Sequence, residues 1–227
     1  MPQPASAYEM LRTEILMGRL APGQRLRVAD LNARYKLGLT PIREALVRLS
    51  SEGLVLSEVN RGARVRDASM EELHDLLETR LDVERWCLSR AMQRGDEEWE
   101  AEILRAEHLL ARASMPVSSE DMETAIRWER LHRQFHRTLV AACGSEWKLR
   151  IWDMLMDHSE RYRNLRLLNF RRSEADVRDI NAEHAEIARA VIARDETRAL
   201  ALMTDHLSRT MAAVERLMLA QMETVGG

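Results

Sequence analysis

The sequence predicts a mostly α protein of two domains: a small N-terminal domain of three short helices and a β-hairpin, and a C-terminal all-α antiparallel helical bundle. Three observations predict it. From Ser69 onward nearly every segment carries apolar residues at helical spacing with no alternating strand pattern. Before that point, two short apolar stretches flank Asn60-Arg61-Gly62, which is turn chemistry between strands. Charge also changes sign there: residues 1–67 carry a net +4 and residues 68–227 a net −7, within a total of −3. A basic module of that kind is attracted to polyanions, whereas the acidic body is not.

Each element follows from its local pattern. Ala7 to Leu20 places Tyr8, Leu11, Ile15 and Leu16 on one helical face and stops at Ala21-Pro22-Gly23. Val28 to Tyr35 is a second helix with Leu31 inward. Thr40 suits the N-cap of a third, with Pro41 in its first turn and Ile42, Ala45, Leu46 and Leu49 on its apolar face. That is helix-turn-helix spacing, and strands at Leu54–Leu56 and Ala63–Val65 add a hairpin wing. Beyond it, helices are expected near Met70–Gln93, Glu97–Ala113, Glu120–Cys143, Glu146–Asn169, Glu174–Ala193 and Glu196–Met222. The domain boundary is placed at 67/68, giving units 1–67 and 68–227.

Composition narrows the class. With 227 residues, 31% charged and 45% apolar, the chain is neither collagen-like nor of low complexity, and it is long enough to bury a core. Two cysteines, Cys87 and Cys143, do not make a disulfide framework, and the expected compartment is cytoplasmic. No apolar run approaches the roughly 18–20 residues that a membrane helix needs, so no membrane partner is expected.

The order Ile15-Leu16-Met17-Gly18-Arg19-Leu20-Ala21-Pro22-Gly23, Thr40-Pro41-Ile42-Arg43-Glu44-Ala45-Leu46, Gly53-Leu54-Val55 and Asn60-Arg61-Gly62 resembles the winged helix of GntR-family transcription regulators. The helical remainder resembles the FadR-type C-terminal domain of that family, through Arg80 to Glu84, Phe135-His136, Glu183-His184 and Asp205-His206-Leu207. The resemblance spans residues 8 to about 210. It implies a homodimer on double-stranded DNA carrying an inverted-repeat operator, a regulator rather than an enzyme. Arg43, at the start of the third helix, suits bidentate contact with guanine, and Arg61 with Gly62 suits a minor-groove wing tip. Arg27, Thr40 and Arg48 are expected on phosphates. Many family members have arginine where this chain has Ala29 and Leu39, so its base readout differs.

Four histidines carry the second function. His132 and His136 are i, i+4 and share a face with Ala125, Trp128, Phe135, Leu139 and Cys143, so they point inward. His184 lies among Val177, Ile180, Ile187, Ala188 and Val191, and His206 among Ala199, Leu202, Ala213 and Leu217. Four inward imidazoles from three helices of one bundle suit a divalent metal ion, with zinc the first choice and nickel or iron as alternatives. In metal-binding relatives the usual set is one aspartate and three histidines, and His132 stands where that aspartate would be. His158 shares an apolar face with Ile151, Met154, Leu155, Tyr162 and Leu165 and is ranked below these four. By the same resemblance Arg80 faces the cavity and pairs with a carboxylate, with Glu84 one turn later, and Tyr162 and Arg163 are secondary pocket candidates. A metal and an arginine in a dry cavity trap a carboxylate, so the expected effector is a small organic acid.

A rival class is a metal-dependent enzyme that uses the histidine cluster to activate water, with Glu183 beside His184 as base. His132-Arg-Gln-Phe-His136 lacks the glutamate that a HExxH protease places second, and neither a phosphate loop nor a nucleophile elbow appears. A third class, an architectural DNA binder, has no use for a polar cavity.

Overall fold

The computed structural model describes residues 6–58, 62–116, 121–168 and 178–225. The chain divides into two compact units, Met1–Ser69 and Met70–Gly227.

In the first unit, helix α1 (Ala7–Leu16) opens with a capping box: Ser6 Oγ accepts from the Glu9 amide at 3.2 Å and Glu9 accepts from the Ser6 amide at 2.8 Å. It ends four residues short of the expected Leu20, because Gly18 turns the chain at φ +71°. Helix α2 (Val28–Tyr35) stops at Lys36 in the left-handed region, φ 54°. Asn32 then fastens the turn: its Oδ1 accepts from the Gly38 amide at 2.8 Å and its carbonyl from Lys36 at 2.9 Å. Helix α3 (Leu39–Ser51) follows at once, capped by Gly38 at φ 88°, ψ 148°. The expected cap, Thr40, therefore lies inside the first turn, where Pro41 forfeits no hydrogen bond.

The expected two-stranded wing is a three-stranded antiparallel sheet. Strands β1 (Arg25–Leu26), β2 (Val55–Glu58) and β3 (Gly62–Val65) are ordered β1-β3-β2, with Leu26 opposite Ala63 and Val55 opposite Val65. Two residues were too few to read β1 from periodicity. Leu11, Ile15, Leu20, Ile42, Leu49, Leu54 and Val65 fill the core between helices and sheet.

The second unit is all helix among the described residues: α4 (Met70–Arg94), α5 (Glu97–Ala111), α6 (Met122–Val140), a 3-10 turn (Ala141–Cys143), α7 (Glu146–Leu168), α8 (Ile180–Ile192) and α9 (Glu196–Val225). Helix α6 gives way to the 3-10 turn before the expected Cys143, and Gly144, at φ +74°, redirects the chain into α7. Helix α8 starts at Ile180, capped by Asp179 accepting from Ala182 at 2.9 Å. Its expected earlier start at Glu174, like the expected ends at Glu120 and Asn169, lies outside the described residues. Helix α4 packs against α7, α9 and the 3-10 turn, while α5 packs on α6 and α8, and α8 on α9. Arg194 locks two turns together, donating to the Met92 and Gly95 carbonyls at 2.8 Å each and to Glu100 at 2.5 Å. No helix among the described residues is long and apolar enough to cross a membrane.

Gly38 occupies backbone space reserved for glycine, and a Cβ there would also sit 3.4 Å from Pro41 Cδ. Gly38→Ala is expected to cost about 1–3 kcal/mol, read as a lower urea midpoint for the first unit's unfolding at unchanged slope; an unchanged midpoint contradicts this placement of the turn.

Candidate metal centre and DNA-reading surface

The four predicted imidazoles converge. Helix α6 contributes His132 and His136, α8 His184 and α9 His206, all at least 96% buried. One ligand atom from each lies within 4.8 Å of all the others. His132 Nε2 and His136 Nε2 approach to 3.2 Å, close to the ~3.3 Å edge of a tetrahedron with metal–nitrogen bonds of about 2.0–2.1 Å. Ring centroids of His184 and His206 are 4.8 Å apart, and those of His136 and His206 5.2 Å.

Two apolar walls hold the rings. Trp128, one turn before His132, stacks on it at 4.7 Å and 17°, and Phe135 lies 5.2 Å from His136 and 5.0 Å from His184. Burial pushes all four histidine pKa values down; for His132, His136 and His184 neighbouring imidazoles and Arg163 take them well below the usual value, while for His206 the Glu183 hydrogen bond opposes the fall and Arg178 adds to it. At neutral pH the rings are uncharged and offer lone pairs. Among the described residues, Nδ1 of His132, Nδ1 of His136 and both nitrogens of His184 have no hydrogen-bond partner. The fit to a cation lies in the converging atoms: the Nε2 lone pairs of His132 and His136 face each other at 3.2 Å, His184 has no partner on either nitrogen, and one atom of each ring lies within 4.8 Å of the others, so the residues present fit a divalent ion.

His206 is the exception. Its Nδ1 lies 2.9 Å from Glu183 Oε2. Glu183 in turn takes Arg178 Nε at 2.5 Å and Arg178 Nη2 on its other oxygen. Although burial raises the Glu183 pKa, hydrogen bonds from His206 and Arg178 hold it at about 2. The sequence announces neither Arg178 nor the attachment of Glu183 to His206: Arg178 falls inside the expected Glu174–Ala193 helix but precedes the observed start of α8 at Ile180, and Glu183 is adjacent in sequence to His184 rather than to His206. The i, i+4 and i+1 spacings do not reveal contacts between α8 and α9.

The charged residues near the cluster separate into used and unused donors. Arg163 lines the cavity, but its guanidinium is spent on Glu129, Nε–Oε1 3.0 Å and Nη2–Oε2 2.6 Å. Glu129 was not predicted, although it precedes His132 by three residues on the same helix face. Arg80 is 2% exposed; its Nε lies 3.9 Å from Glu84 Oε2, which already accepts Trp152 Nε1 at 2.7 Å. Arg80 Nη2 and Glu84 Oε1 have no hydrogen-bond partner among the described residues. Burial lowers the Arg80 pKa to about 10, so the guanidinium stays charged at neutral pH. Tyr162 departs from its expected place: it is buried, but its hydroxyl donates to Glu72 at 2.5 Å, beside Arg161, and it does not line the cavity. His158 is half-buried and outside the cluster. The cavity itself is small, about 20 Å³, lined by Met115, Trp128, His132, Arg163, Ile180, His206 and Thr210.

On the first unit, Thr40, Arg43 and Glu44 are exposed on α3 together with Val47, which is 71% exposed. Arg27 is exposed where α2 begins. Arg48 is held against α1, its guanidinium 3.6 Å over the Tyr8 ring and its Nε 3.3 Å from Glu52, so it has a structural use besides any phosphate. Gly62 opens β3 at φ +89°, and Arg61 lies outside the described residues.

Residues 4–65 match the family described as bacterial regulatory proteins, gntR family, and residues 75–209 match the FCD domain. The chain belongs to the GntR family. The HTH-type transcriptional repressor GlaR of Escherichia coli (strain K12) is 36% identical over 211 residues, 93% of this chain and 95% of that protein. The uncharacterized HTH-type transcriptional regulator BphR of Paraburkholderia xenovorans (strain LB400) is 32% identical over 211 residues, 93% and 84% of the two chains. The solved structure of E. coli McbR/YncC has the same fold, with a TM-score of 0.75 at 19% identity over 93% of this chain and 96% of that one. This GntR protein is a transcriptional regulator of a family that binds DNA, and the reading as a water-activating metalloenzyme gives way to it.

Proposed function

We propose that this GntR regulator is a repressor that binds an inverted-repeat operator as a homodimer, and that a small organic acid controls it through a metal centre in the helical domain. The observation that carries the proposal is the convergence of four buried neutral imidazoles, with the charge of buried Arg80 felt at His136 and His206 and one of its nitrogens unused. His132, His136, His184 and His206 would hold the ion, zinc first and nickel or iron next. Such an ion supplies positive charge to a carboxylate oxygen in a site without competing water. Arg80 supplies a directional second anchor. Arg163 is neutralised by Glu129 and so shapes the cavity rather than binding the acid.

Control follows from volume. A cavity of about 20 Å³ holds one water, so an acid enters only a wider state of the bundle. A ligand that prefers one state shifts the population by its differential affinity, and tenfold in operator affinity needs about 1.4 kcal/mol. Arg80 lies on α4, the first helix after the winged domain in the chain, which gives the shift a covalent route out.

On the DNA side, Arg43 would read guanine, Val47 offers apolar contact to a thymine methyl, Arg27 and Thr40 meet phosphates, and Gly62 with Arg61 forms the wing edge. Pairing is supported by a face on α4 and α7: Trp86, Trp147, Ile151 and Met154 are exposed there, and Lys148 caps the Trp86 ring at 5.0 Å. The exposed α4 stripe continues through Glu78 and Asp82, and the α7 stripe through Arg150, so two copies related by a two-fold axis present opposite charges around the apolar centre.

Arg43→Ala is expected to weaken operator binding by about 1–3 kcal/mol while barely changing affinity for random duplex; gel shifts with equal losses on both would make Arg43 a phosphate contact. Elemental analysis is expected to find about one divalent ion per chain, most of it lost in His184→Ala and His206→Ala and kept in His132→Asp. Arg80→Ala should bind operator as the wild type does and ignore acids that move the wild type; an unchanged response removes Arg80 from the site.

A further inference from the structure

The imidazoles do not stand alone at the α8–α9 contact. Glu183 on α8 reaches His206 on α9, with 2.9 Å between Oε2 and Nδ1. Arg178, two residues before α8, grips both oxygens of Glu183 and also donates to the His206 carbonyl at 2.9 Å and to Thr210 Oγ1 at 3.0 Å. Arg178 Nη2 also lies 3.1 Å from His206 Nδ1.

Donor and acceptor accounting decides where the His206 proton sits. Arginine has donors only, and Arg178 Nη2 already has two oxygen acceptors, Glu183 and the His206 carbonyl. A carboxylate has acceptors only, so the 2.9 Å approach of Glu183 to Nδ1 needs a proton on Nδ1. A neutral ring then carries its lone pair on Nε2.

We infer that Arg178 and Glu183 form a positioning couple that fixes His206 as the Nδ1–H tautomer and delivers its Nε2 to the four-histidine centre. The inference rests on the metal reading above and adds to it two residues that are not themselves ligands. Both are positioning residues: neither would touch the ion. Glu183 fixes proton and ring rotation, as carboxylates behind metal-bound imidazoles do. Arg178 fixes Glu183 and ties the start of α8 to α9, the two helices that carry His184 and His206. Losing the couple therefore loosens the metal site before it loosens the bundle.

The test uses the full chain, with zinc as the only probe and far-UV circular dichroism as a check on folding. Long-range nitrogen–proton spectra of histidine-labelled, metal-free wild type should show His206 protonated at Nδ1. Glu183→Gln should bind zinc about 10–100-fold more weakly in competition with a chromophoric chelator, with its His206 tautomer mixed. Arg178→Lys, which keeps the charge and loses the two-point grip, should fall between. Three results overturn the inference: a wild-type His206 protonated at Nε2, Glu183→Gln holding zinc within twofold of wild type, or a wild type that takes up no zinc. Only the last also overturns the metal reading, and the wild-type tautomer is measured whether or not a variant folds.

Discussion

Everything in the helical domain is arranged around the cost of burying four imidazoles at one point. Desolvation comes first in keeping them uncharged, and a proton on His132 or His136 would also face neighbouring imidazoles and arginines in a medium that screens poorly. Neutral rings, however, still own nitrogen atoms that need partners. The bundle supplies few: Trp128 stacks on His132, Phe135 meets His136 edge-on, and among the described residues only His206 receives a carboxylate. What is left is a set of lone pairs with a shared vacancy of partners, which is the donor set a transition metal ion uses.

The surrounding charges make sense on the same terms. A buried ion pair rarely adds stability over packed apolar groups, because desolvation offsets the attraction. Arg163 and Glu129 meet in two parallel bonds and cancel locally. Arg80 and Glu84 meet loosely at 3.9 Å, with Trp152 satisfying one carboxylate oxygen. The tight pair is structural; the loose pair leaves a guanidinium edge unused, and an unsatisfied buried donor costs stability, a cost that the proposed carboxylate would relieve. In the winged domain the burden is lighter: Glu14 is its one buried charged group among the described residues, met by Arg19 and the Tyr35 hydroxyl, and stability comes from the Leu11, Ile42, Leu49 and Leu54 core.

Much of this was legible in sequence because it rests on periodicity. The i, i+4 spacing of His132 and His136 and their company of Trp128, Phe135 and Leu139 gave the inward face of α6 directly, and His184 and His206 followed from theirs. The ordered winged-helix segments gave the family. What sequence could not give was contact between elements. Tyr162 shares a helical face with Ile151, Met154 and Leu155, which offers it as a pocket residue, yet Glu72 on α4 claims its hydroxyl. Glu129 and Arg178 act on side chains 34 and 28 residues away, a separation with no signal in spacing. Strand β1 is two residues long and exists through β3, so no local pattern announces it. Thr40 has the chemistry of a cap, but Gly38 and the Asn32 side chain close the turn two residues earlier.

The central claim is that the four imidazoles together are the inner ligands of one metal ion. X-ray absorption at the zinc edge of the reconstituted full-length protein addresses it without any mutation. The account predicts a nitrogen shell at about 2.0–2.1 Å with outer-shell scattering that requires four imidazole rings. A spectrum fitted by two or fewer imidazoles, or by a sulfur shell from Cys87 or Cys143, would contradict it.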